Sequence, residues 1–182
     1  MSTPSEPDDA ALLRAFVGGS EEAFKDLVRM HQAPLYRFIW RQVQDHSMAA
    51  DLCQKVFLQV FLKAGSFRGA ASFRTWLYQI AINQCRNHFR ASKHVENVGL
   101  DSVAPPVDES GDVVEAEQQT RRVRAAVDAL PPKQRYTLQL RFYQECTFAE
   151  IAEIMSCPIG TAKANYHHAI TALRKRLRTG DE

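Results

Sequence analysis

Cysteine is scarce in this sequence, and none of it is arranged to pair. Cys53, Cys85, Cys146 and Cys157 are the only four in 182 residues, and no two form a C-x-x-C. That spacing excludes a disulfide scaffold and the usual structural zinc set. Cys85 and His88 make an isolated C-x-x-H with His94 nearby, but no second ligand pair accompanies them, so no metal is expected. Cys53 and Cys85 fall within apolar helical patterns, where a free thiol behaves as a small hydrophobe. Long hydrophobic runs are missing as well. The longest, residues 56–62, is interrupted by Gln59 and falls far short of the roughly 20 residues that span a bilayer. Residues 1–9 are polar and acidic without a signal-peptide pattern, which predicts a cytoplasmic protein with no membrane insertion. No glycine-rich phosphate loop is present, and no nucleophile motif has a base partner. Neither catalysis nor a cofactor is expected.

Basic residues are absent from one stretch. Residues 94–115 carry 6 acidic side chains and no basic one, whereas residues 1–93 carry 12 basic and 8 acidic, and 116–182 carry 11 basic and 7 acidic. Two mildly basic blocks thus flank an acidic segment that also holds Gly99, Pro105, Pro106 and Gly111. The pattern predicts two domains, 1–93 and 116–182, on a flexible linker. The basic blocks suit a phosphate-bearing partner, although their small excess does not identify one.

Strand signals are lacking, and helical periodicity fills both blocks. After a short helix over 9–17, Gly18-Gly19 breaks the chain, and Ser20 followed by Glu21 and Glu22 marks a new N-terminus. Pro34 is expected to kink or restart that helix. A further helix is read over 47–64, where Leu52, Val56, Val60 and Ala64 recur by fours. Another begins after Ser72 and runs to about residue 91, with Phe73, Trp76, Leu77 and Ile80 on one face and Tyr78 and Ile82 on another. A helix apolar on two faces needs neighbours on both sides, so the first block should be a bundle. Helical pattern resumes near Glu115. Pro131-Pro132 ends that helix and starts the next.

The sharpest local signal lies in the second block. Thr147-x-x-Glu150 is a capping box, followed by Phe148, Ile151, Ala152 and Met155 at helical spacing. Ser156-Cys157-Pro158 closes this short helix and a longer one begins near Ile159. Two short helices on a tight turn form a helix-turn-helix, the geometry that puts one helix into a major groove. On a wheel of about 100° per residue, Ala162, Tyr166, Ala169 and Leu173 share the inward direction. Lys163, Ala164, His167, His168 and Thr171 point outward. Lysine donates to guanine O6 and N7, and a histidine ring donates to or accepts from base edges. Spacing alone allows either DNA contact or an ordinary solvated face. The same choice holds for Arg174, Lys175, Arg176 and Arg178 at the far end.

Two stretches then resemble one family, in order. Phe67-Arg68-Gly69-Ala70-Ala71-Ser72-Phe73-Arg74-Thr75-Trp76-Leu77-Tyr78 is similar to the loop and helix of region 2 in the extracytoplasmic-function (ECF, group 4) sigma factors of bacterial RNA polymerase. Asp51-Leu52-Cys53-Gln54 resembles the polymerase-binding part of that region. Leu130-Pro131-Pro132-Lys133-Gln134-Arg135, Phe148-Ala149-Glu150-Ile151-Ala152 and Cys157-Pro158-Ile159-Gly160-Thr161-Ala162-Lys163 resemble region 4. The resemblance implies an all-α protein of two helical domains, a region 2 bundle over 1–93 and a region 4 helix-turn-helix over 116–182, joined by the 94–115 linker. It implies a non-enzymatic function: binding core RNA polymerase and directing initiation through −10 and −35 recognition. By position, Asp51, Gln54 and Phe57 match the helix that binds the clamp of the large subunit. Phe67, Arg68 and Gly69 match the loop holding a flipped-out −10 base, and Asn83 matches a −10 reader. Arg141, Lys163, Ala164, His167 and His168 match −35 contacts. Lys55 stands where the family commonly has an acid, and Ala164-Asn165 where it often has Ser-Arg. An anti-sigma factor is implied as a further partner. A two-domain helix-turn-helix regulator acting without polymerase is the alternative, and co-purification with core polymerase separates the two.

Overall fold

The structure, a computed structural model, describes residues 8–96 and 114–178. Over these residues the chain forms eight α-helices and no strand. They are α1 (Asp9–Val17), α2 (Glu21–Val43), α3 (His46–Lys63), α4 (Phe73–Glu96), α5 (Val114–Asp128), α6 (Pro132–Tyr143), α7 (Phe148–Met155) and α8 (Ile159–Arg178). The chain separates into two compact units, the first running through Phe89. The acidic segment expected to be a flexible linker lies mostly outside the described residues, at 97–113. α4 extends to Glu96 and α5 already begins at Val114, so helix enters both ends of the stretch read as linker.

In the first unit, short polar side chains start each helix by accepting from backbone N–H groups that lack a helical partner. Asp8 accepts from Ala10 N at 3.0 Å, Ser20 from Ala23 N at 3.4 Å, Asp45 from Met48 N at 2.7 Å and Ser72 from Thr75 N at 3.1 Å. Gly19, at φ 105°, makes the tight corner between α1 and α2 in a conformation that side-chain-bearing residues resist. α2 does not restart at Pro34; it is one helix of 23 residues. Pro34 forfeits one backbone bond to Met30, but Leu27, Leu35, Phe38 and Ile39 are buried on both sides of it and hold the helix in one piece. α2 packs on α1 and α3. Its Phe38 meets Tyr78 of α4 edge to face at 5.1 Å, and its His31 ring lies 5.2 Å from Phe73. His31 Nε2 also reaches Asp9 Oδ1 at 2.9 Å, tying α1 to the bundle. α4 buries Phe73, Leu77, Tyr78, Ala81, Ile82 and Cys85, which is the two-faced burial its sequence requires.

In the second unit α8 packs on α5 and α6. Leu130, Leu138 and Ala169 form the buried centre, with Val127, Tyr166, Ile170 and Leu173 against it. α6 begins at Pro132 and buries five successive residues, Tyr136, Thr137, Leu138, Gln139 and Leu140, so its middle is enclosed while its two ends are exposed. α7 starts in the expected capping box. Glu150 Oε2 accepts from Thr147 N at 2.7 Å, and Thr147 Oγ1 accepts from Glu150 N at 3.2 Å. Ser156 then adopts φ 53°, and Cys157 N donates to Ala152 O at 2.9 Å, which closes α7 with a left-handed residue.

Candidate nucleic-acid interface

The first candidate surface is the connection between α3 and α4. A 3-10 turn at Ala64–Ser66 ends α3, and Ser66 Oγ donates to Lys63 O at 2.7 Å. The loop then presents Phe67, half-buried with its ring 5.0 Å from Trp76, followed by the exposed Arg68 and Gly69. Gly69 sits at φ 69°, and a Cβ there would meet nothing within 4 Å, so the residue is set by backbone conformation rather than by space. Beside the loop lies a cavity of about 240 Å³, lined by Leu13, Arg14 and Val17 of α1, by Ala64, and by Phe67 and Arg68. Asn83 is exposed on α4. An aromatic edge, free guanidinium donors and a cavity together can accept an unstacked base.

The second surface is the outer stripe of α3. Asp51 and Gln54 are exposed, and Lys55 Nζ pairs with Asp51 Oδ2 at 2.6 Å one helical turn away. Phe57, matched by position to a polymerase contact, is instead only 8% exposed and packs into the bundle. The apolar surface of the helix is carried by Leu58, 56% exposed, and Leu62, 66% exposed, with Phe61 beside them. Asp51, Lys55, Leu58 and Leu62 recur at the i, i+4, i+7, i+11 spacing of one helix face. That spacing is the signal in the sequence that locates Leu58 and Leu62.

The third surface is the outer face of α8. Ala162 and Ala169 are fully buried, Tyr166 and Leu173 are half-buried, and Lys163, Ala164, His167, His168 and Thr171 are exposed. Tyr166 anchors the helix edge to face on Phe148 of α7 at 5.6 Å. His167 and His168 rings lie 6.1 Å apart, and among the described residues neither they nor Lys163 form an ion pair or hydrogen bond within the chain. Their donors are available to an outside partner. Arg141 is held at the α6–α7 corner: it donates to Cys146 O at 3.0 Å and lies 5.3 Å over the Phe148 ring. Of the basic cluster at the end of α8, Arg176 donates to Ala126 O at 3.2 Å, so its guanidinium secures α5. Among the described residues no group of three or more His, Cys, Asp or Glu could hold a metal ion. No helix there is long and apolar enough to cross a membrane.

The chain matches the family model for Sigma-70 region 2 over residues 27–95 and that for Sigma-70, region 4 over 120–173. It is 31% identical over 172 residues to the ECF RNA polymerase sigma factor SigK of Mycolicibacterium vanbaalenii, covering 92% of this chain and 88% of that protein. Two solved structures share the fold. CnrH, in complex with the cytosolic domain of CnrY, superposes with a TM-score of 0.73 at 19% identity, covering 94% of this chain and 98% of that one. The sigma factor RpoE of Bartonella quintana, in complex with the anti-sigma factor NepR, gives 0.65 at 24% identity, with 85% and 96% covered.

Proposed function

The chain belongs to the ECF sigma factors of RNA polymerase, and from that membership we propose how its surfaces divide the work of initiation. As a sigma factor it binds core RNA polymerase and directs promoter-specific transcription initiation. Residues 1–93 serve as region 2, 116–182 as region 4, and 94–115 as the tether between them. The α3 stripe docks on the clamp of the large subunit through Asp51 and Gln54, with Leu58 and Leu62 as apolar anchors, while Phe57 supports the helix from inside. The Lys55–Asp51 pair leaves this stripe less acidic than Asp51 alone would make it.

Phe67, Arg68 and Gly69 take up a flipped-out −10 base in the cavity beside them, and Asn83 reads the adjoining strand. On the −35 duplex, Lys163 and the two histidines address guanine edges, and the Ala164 methyl suits a thymine methyl. Arg141, stacked and hydrogen-bonded at the corner, contributes a phosphate contact. The protein is a group 4 member that works in the cytoplasm, performs no chemistry of its own, and is held in check by an anti-sigma factor. That last point is supported by the fold it shares with a sigma factor solved with its anti-sigma partner.

One observation carries the reading: a glycine-turned loop over a cavity and an unpartnered recognition face on α8 occur in one chain, in family order. A promoter library randomised at −35, transcribed by the reconstituted holoenzyme, tests it. Lys163→Ala and His167→Ala should shift base preference at about 1–3 kcal/mol per good contact. Arg178→Ala should at most weaken binding evenly across sequences. Unchanged preference in both reader variants removes α8 as the reading face.

A further inference from the structure

The cavity beside the 67–69 loop has a wall that the −10 assignment does not use. Of the nine described residues that line it, four (Ala10, Leu13, Arg14 and Val17) come from α1. Its volume, about 240 Å³, is many times what a single water needs. The walls are apolar where Leu13, Val17, Ala64 and Phe67 line it, and among the described residues its charged lining groups are the guanidinium ions of Arg14 and Arg68. Such a lining suits a flat, partly apolar ring attached to an anion, which describes a single extruded nucleotide. Arg14 projects at the rim with its side chain 74% exposed, and its ion pair is a loose one, Nη2 to Asp8 Oδ2 at 3.6 Å. A solvent-exposed pair at that distance holds weakly and exchanges readily for another anion.

We propose that Arg14 of α1 is a promoter contact, which leaves the Asp8 carboxylate to bind the phosphate of the nucleotide whose base enters the cavity. α1 is thereby a third element of the −10 site, beside the 67–69 loop and α4. The proposal rests on the −10 reading of that loop. Asp8 is the resting counter-ion. It also caps α1 through Ala10 N at 3.0 Å, so a change to Asn keeps a capping side chain while removing the charge.

The test uses holoenzyme reconstituted with the full chain and a single-stranded −10 oligonucleotide. Arg14→Ala should weaken binding about two- to fivefold, the worth of a part-exposed ion pair, whichever base occupies the flipped position. The slope of log affinity against log salt should fall by about 0.7, one phosphate contact on a single strand. Arg14→Lys should keep the wild-type slope. A methylphosphonate placed at each phosphate in turn should find one position that weakens the wild type but has no effect on Arg14→Ala. If Phe67→Ala loses base-dependent binding while Arg14→Ala matches the wild type in affinity and salt slope, the α1 contact is wrong and the loop assignment stands. If Phe67→Ala also binds as the wild type does, the loop assignment falls and the proposal falls with it.

Discussion

Phe57 and Leu58 are neighbours in sequence and opposites in place, and exchanging their roles experimentally separates folding from polymerase binding. Phe57 is 8% exposed in the bundle, so Phe57→Ala opens a cavity and should cost about 3–5 kcal/mol. That is a large share of the roughly 5–15 kcal/mol that holds a domain together. Leu58 is 56% exposed, so Leu58→Asp should change stability by no more than about 0.5 kcal/mol. At the clamp the order reverses. An apolar anchor at the centre of an interface is worth about 2 kcal/mol, so its loss should weaken core-polymerase affinity roughly thirtyfold, before the added cost of desolvating a carboxylate. Urea unfolding followed by circular dichroism measures the first effect, and titration of labelled protein with core polymerase measures the second. Leu58→Asp should be folded and binding-deficient. Wild-type affinity in that folded variant would refute the placement of the clamp-docking stripe. Loss of binding by Phe57→Ala at undiminished stability would return Phe57 to the surface.

Glu145 and Ser156 occupy left-handed backbone at φ 52° and 53°, a cost of about 1–2 kcal/mol that glycine avoids at the expense of about 0.5–1 in chain entropy. Glu145→Gly should therefore raise the midpoint of calorimetric unfolding by a few degrees, and an unchanged or lower midpoint would contradict the strain. Burial pushes the Cys53 thiol up to about 11, Cys85 and Cys146 are buried, and Cys157 is half-buried. Native protein should alkylate fastest at Cys157, read by peptide mass spectrometry, and fast labelling of Cys53 would show that α3 opens. The 17 residues at 97–113 between α4 and α5 reach at most about 56–61 Å when fully extended. Deleting ten of them leaves a reach of about 25 Å, which should abolish transcription from a bipartite promoter while both domains still melt cooperatively. Full activity at unchanged promoter spacing would refute the tether.

The helix-turn-helix was legible because its determinants are local. Thr147 and Glu150 satisfy each other's backbone across one turn, and the wheel of α8 needs only the regular 100° step to separate Ala162 and Ala169 from Lys163, Ala164 and His167. α3 resisted the same treatment. Val56, Phe57, Leu58, Val60, Phe61 and Leu62 make it apolar over most of its circumference, and which stripe is buried depends on where its neighbour α2 lies. That Phe57 falls on the buried side was not legible for that reason. Pro34 suggested a break from its own stereochemistry, but the buried residues flanking it in α2 outweighed one lost backbone bond. α4 ran past its sequence boundary, to Glu96 rather than about residue 91, because the acidic composition of 94–115 signals polarity, and a polar stretch can still carry a helix end. The cavity wall from α1 had no sequence signal, since Arg14 and Phe67 are distant in the chain and only the packing of α1 brings them to one site.

In vitro transcription with purified core polymerase, with start sites mapped across a genomic template, tests the central claim most directly. Adding this protein should produce initiation at a small set of sites that share −10 and −35 elements, and Phe67→Ala and Lys163→Ala should each reduce it through a different element. Failure to bind core polymerase, or a start-site pattern identical with and without the protein, would contradict the account.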